Sequence, residues 1–164
     1  MSPTSRRIVP LRSLVSLVIF LAAIFGSALI ANAQRAVGEK KAADKPLYVE
    51  YKGVRIGMVT DEVRKKLGVP TDKGDVQDFF VFSDKESAQV FYDKEHKVMA
   101  VSVNYVGDDS GAPLPKVVLG IEIEAQADGA MHKMVRYPDA GYWVSYNRTG
   151  GGDPLVTVTM QKIQ

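Results

Sequence analysis

Three runs rich in aromatic and β-branched residues, 78–82, 88–92 and 97–105, follow one another with only short polar turns between them, at 83–86 and 93–96. No other feature restricts the fold as much. A parallel pairing needs a crossover of roughly a dozen residues, so turns this short leave antiparallel neighbours and predict a meander. In the third run Met99, Val101, Val103 and Tyr105 point one way, and Ala100, Ser102 and Asn104 the other. That alternation predicts a sheet with one covered face. Residues 155–163 repeat the pattern, with Val156, Val158 and Met160 on one side and Thr157, Thr159 and Gln161 on the other. Because the side-chain period is two, a slip of one residue would expose the whole apolar set, so the register is firmly specified.

Residues 53–70 offer a cover for that face. Thr60 is placed to cap a short helix, since its hydroxyl can accept from a first-turn N–H. Asp61 and Glu62 put negative charge at the positive end of the helix dipole. They also stand four residues before Lys65 and Lys66, the favourable order for ion pairing. Val63 and Leu67 share a face, and Gly68 and Pro70 end the helix. So short a helix must dock on something to form. The expected fold class is therefore α+β, with short helices packed on one face of an antiparallel β-sheet.

The motif Ile56-Gly57-Met58, then Val63, then Leu67-Gly68-x-Pro70 resembles the start of the small outer-membrane assembly lipoproteins of the SmpA/OmlA (BamE) type. It is also similar to the repeat unit of the β-lactamase-inhibitor-protein fold. The resemblance covers residues 53–105 well and the rest loosely. It implies a short helical segment packed on an antiparallel sheet. The chain departs from both families in having no cysteine, hence neither a lipid-modified N-terminus nor disulfides.

The second half reads as a looser copy. Residues 107–115 form a turn-rich connector, and 116–124 are apolar, then alternating. Asp128 is placed to cap a second short helix carrying Met131, Met134 and Val135 on one face. Strands follow at 140–146 and 155–163, separated by the glycine loop 150–154. The expectation is a domain over 47–164, either single or built of two tandem helix-plus-sheet units, 47–106 and 116–164.

Ahead of it, Arg6, Arg7 and Arg12 precede an almost wholly apolar run, 14–30, and a small-x-small site at Ala31-Asn32-Ala33. This reads as a signal peptide over 1–33, cleaved before Gln34, with 34–46 as a flexible tether. The alternative is a retained membrane anchor. Three of the 21 Lys and Arg lie in the leader, so the remainder nearly balances the 19 Asp and Glu. That balance gives nucleic acid no basic footprint.

Chemistry-bearing residues are scattered. His96 sits in a charged turn and His132 reads as a surface or edge histidine. Asp108-Asp109-Ser110 lacks EF-hand spacing. The 150–152 glycines lack the Lys-Ser/Thr and helix of a phosphate loop. Asn147-Arg148-Thr149 matches a glycosylation acceptor. No nucleophile–base signature is present, so no cofactor, metal or catalytic residue is expected. If Val144 lies with Val156 and Val158 under the cover, then Trp143, Ser145, Thr157 and Thr159 share the open face. These four are the candidate partner-binding residues. The expected function is an exported, non-catalytic module that binds a protein or cell-envelope component. The alternatives are a secreted enzyme with a nonstandard site and a membrane-anchored structural envelope protein, the membrane being a partner only if the leader is retained.

Overall fold

The strand signals come together in a single antiparallel sheet. The structure, a computed structural model, describes residues 44–164. The leader expected over 1–33 and the tether up to residue 43 lie outside the described residues. The strands are β1 (Asp72–Lys73), β2 (Gln77–Val81), β3 (Glu86–Tyr92), β4 (Val98–Val106), β5 (Met131–Tyr137), β6 (Tyr142–Arg148) and β7 (Leu155–Lys162). Their order across the sheet is β1-β2-β3-β4-β7-β6-β5. Two meanders, β1–β4 and β5–β7, thus join through antiparallel pairing of β4 with β7, with Val103 opposite Val158. Strands assigned above to two tandem units lie in one continuous sheet.

The α+β expectation is corrected. The described residues are 13% helical, and the molecule is mostly a seven-stranded antiparallel sheet rather than a layer of helices on one. Among the described residues helix is confined to α1 (Thr60–Leu67), the short α2 (Pro115–Leu119) and a 3-10 turn at Pro138–Ala140. The covered face carries Phe80, Val90, Val101, Val103, Val144, Val158 and Met160, each at most 2% exposed. Most of its cover is non-helical. Tyr51, Val54, Ile56 and Met58 come from the turn-rich segment ahead of α1, and Ile121 and Ile123 from the β4–β5 crossover. Val63 of α1 and Leu119 of α2 are fully buried with them.

The second helix expected after Asp128 is absent, because Met131–Tyr137 is strand β5. Met131, Met134 and Val135 fit a helical spacing, but so short a segment gains little as an isolated helix. Pairing along β6, from Met131 opposite Arg148 to Tyr137 opposite Tyr142, satisfies its backbone instead. The Asp128 carboxylate accepts from Ala130 N at 3.0 Å and makes a turn, not a helix cap.

Two details near α1 also differ. Thr60 lies inside the helix, behind Val59, and its hydroxyl donates to the His96 carbonyl at 2.9 Å. It ties the helix start to the β3–β4 turn instead of capping. A bulge at Phe91/Tyr92 sets Val98 opposite Tyr92 and Ala100 opposite Phe91. Val98 therefore takes the covered position expected of Met99, which is the extra residue. At the other end of α1, Gly68 has φ +89°, where a side chain is strained, so the glycine there is a requirement of the turn.

Candidate binding face

On the side away from the cover, register places the residues of six strands in rows. One row runs Phe79, Gln89, Ser102, Thr159, Ser145, Met134. A second runs Gln77, Phe91, Ala100, Gln161, Trp143, Arg136. A third passes through Asn104, Thr157 and Asn147 to His132. All four candidate residues lie here and are half-buried. Ser145 stands directly opposite Thr159. Thr157 faces Asn147, and Trp143 faces Gln161.

The centre of this face is held by its own hydroxyls and amides. Ser102 Oγ and Thr159 Oγ1 are 3.0 Å apart, and Thr157 donates to Asn104 Oδ1 at 2.8 Å. These bonds fix the rotamers, so the surface is shaped before anything binds it. Ser102, Asn104, Asn147, Gln161 and Arg136 belong to the face but were not singled out from sequence. Their alternation is legible; their nearness to Trp143 depends on β4 pairing with β7, which no local pattern announces.

Two polar clusters lie elsewhere. Asp78 is fully buried and accepts from Arg64 Nε at 2.8 Å, Arg64 Nη2 at 3.0 Å, the Tyr92 hydroxyl at 2.8 Å and Gly74 N at 3.3 Å. Burial pushes its pKa up, but the guanidinium, the phenol and the amide together outweigh burial and hold the carboxyl below its usual range. Burial, then the Asp78 carboxylate, raises the Tyr92 phenol. Across the sheet, Tyr51 donates to Glu86 Oε1 at 2.9 Å, and Lys52 Nζ reaches Glu86 Oε2 at 3.2 Å and sits 4.6 Å from the centre of the Phe82 ring. Burial, then Glu86, raises the Tyr51 phenol. Both phenols keep their protons at neutral pH. Their chemistry is that of hydrogen-bond donors, not of bases or nucleophiles.

The remaining sequence candidates occupy structural positions. Asp108 pairs with Arg148 at 2.9 Å and Asp109 with Lys85, while Ser110 Oγ donates to the Gly107 carbonyl at 2.6 Å. His96 is exposed in the β3–β4 turn with φ +56°. His132 is exposed on β5. Asn147 is within β6 and on the open face. Among the described residues no group of three or more ligand side chains is placed to hold a metal ion, and no helix is long and apolar enough to cross a membrane. No protein-family model matches the chain, and no curated protein and no solved structure matches it.

Proposed function

We propose that the chain is an exported binding module whose uncovered sheet face docks on a protein of the cell envelope. The observation that carries this reading is Trp143, half-exposed on a flat face beside Ser145, Thr159 and Gln161. An aromatic among pre-set hydroxyls and amides offers large contact area at small entropic cost, the usual composition of a protein-binding surface. The apolar leader-like stretch ahead of the domain supports export. The resemblance of residues 53–105 to envelope lipoproteins supports the compartment.

The test uses the full chain in envelope extracts, with a photoreactive phenylalanine placed singly at position 145, at 159, or at 65 on the opposite side of the molecule. One partner should crosslink from 145 and 159 but not from 65. Trp143→Ala should abolish that crosslink and leave stability within about 0.5 kcal/mol. Equal crosslinking from position 65 refutes the reading. So does a stability loss on the order of 3–5 kcal/mol in Trp143→Ala, which would mark a buried structural aromatic.

A further inference from the structure

The sheet ends at β5, which pairs with β6 on one side and forms the outer edge on the other among the described residues. Such an edge presents unpaired N–H and C=O groups and is a template for another strand. Its chemistry is one-sided. His132 and Arg136 are exposed on the open face, Lys133 lies between them on the other face, and β5 contains no acidic residue. Beside its hairpin end lies a groove of about 700 Å³, whose apolar lining includes Pro46, Val49, Val135 and Tyr137 and whose charged lining is Asp44, Lys45, Arg136 and Asp139. Val135 and Tyr137, which line the groove, are on the covered-face side of the strand; Arg136, which also lines it, and His132 are on the open-face side.

We propose that β5 accepts an extended acidic segment of a partner protein as an added antiparallel strand. Main-chain hydrogen bonds supply the affinity, and the flanking side chains supply the specificity, as in strand addition generally. His132 and Arg136 are four residues apart on one face, a span of about 13 Å in a strand. The matching segment carries two carboxylates at the same spacing. The residue next to the carboxylate opposite Arg136 falls opposite Val135 on the other face, where an apolar side chain enters the groove. A second copy of this chain is the poorer occupant. Two-fold pairing centred on Met134 sets His132 opposite Arg136 of the other copy and offers neither a carboxylate. This edge borders the Trp143 face, with Arg136 directly opposite Trp143, but an added strand bonds to the β5 backbone and its binding is read separately from docking on that face.

The probe is a labelled peptide, Thr-Glu-Val-Thr-Thr-Glu-Thr, titrated by fluorescence anisotropy against the full chain at low ionic strength. Its control carries Lys for both Glu. Two further versions are N-methylated at alternate backbone nitrogens, one along each edge of the peptide. The Glu peptide should bind at least about tenfold tighter than the Lys peptide. One N-methylated version should lose binding and the other keep it, because only one edge of an added strand bonds to β5. Arg136→Glu should reverse the preference between the two peptides, with thermal unfolding unchanged. Equal affinity of both N-methylated versions, or of the Glu and Lys peptides, overturns the proposal. Absence of saturable binding also overturns it, and leaves the basic residues as guards against edge-to-edge association.

Discussion

Replacing Arg64 with Leu isolates the buried charge at the back of the sheet. Asp78 has no solvent exposure, and Arg64 supplies two of its four hydrogen bonds, from Nε and Nη2. The Tyr92 hydroxyl and Gly74 N–H remain in the variant, but neither carries charge. Removing one partner of a buried ion pair costs about 3–5 kcal/mol, since the survivor is left desolvated without its counter-ion. The pH dependence is specific to this cause. In the native chain the Asp78 pKa lies below its unfolded value, so its contribution is complete above about pH 4 and is lost as pH falls through the folded value. In Arg64→Leu burial acts with less opposition and raises the Asp78 pKa. The variant's deficit should then be largest near neutral pH and shrink on acidification, as the carboxyl takes up a proton. Urea unfolding of both proteins at about pH 7 and about pH 4 measures this. Arg64→Leu combined with Asp78→Asn should be more stable than Arg64→Leu alone, because no orphaned charge remains. A deficit under about 1 kcal/mol, or one equal at both pH values, would refute the reasoning.

Leu119→Ala should destabilise by about 2–5 kcal/mol, because Leu119 is fully buried where the β4–β5 crossover lies against β6; urea unfolding reads it, and a loss within the range of an exposed site would show that the crossover is not docked. Tyr105 is pushed up to about 12 by burial and then by Glu86. Its folded pKa is raised, so its contribution is full below about pH 10 and is lost as pH climbs through the folded value. The thermal midpoint should fall across that alkaline window, and Tyr105→Phe should flatten the fall; an unchanged slope in Tyr105→Phe would assign the alkaline loss to other groups.

Strand existence was legible where alternation was long and both neighbours were close in sequence. The runs at 78–82, 88–92, 97–105 and 155–163 became β2, β3, β4 and β7 within a residue or two at most ends. The failures have definite causes. Met131, Met134 and Val135 share a face only at a helical spacing; long-range pairing with β6 makes the segment a strand instead and puts Met134 on the open face, away from the other two. The Met99 orientation was wrong because a bulge breaks the period of two, and a bulge leaves no composition signal here. The fold class was wrong because cover was assigned to helices, whereas irregular chain carrying Tyr51, Val54 and Ile121 does most of that work. At the candidate face, the shared side of Trp143, Ser145, Thr157 and Thr159 followed from alternation once β6 was set beside β7. The contribution of β4 through Ser102 and Asn104 did not, because residues 57 and 53 positions apart meet there. Arg64 and Asp78 went unnoticed, one inside a helix full of charges and the other at the head of an aromatic run.

β7 is the last of the seven strands to be synthesised, yet it sits in the middle of the sheet between β4 and β6. While the chain is being made, the first four strands can assemble early, but β4 then has one bare edge. That edge stays bare through the crossover, β5, β6 and the glycine loop. The hydrophobic seam of Val101, Val103, Val158 and Met160 closes only when residues 155–162 arrive. Closure of the sheet thus waits for β7, and a chain that lacks it exposes a template for pairing with its neighbours. A chain released before residue 155 would hold two half-sheets with nothing to join them.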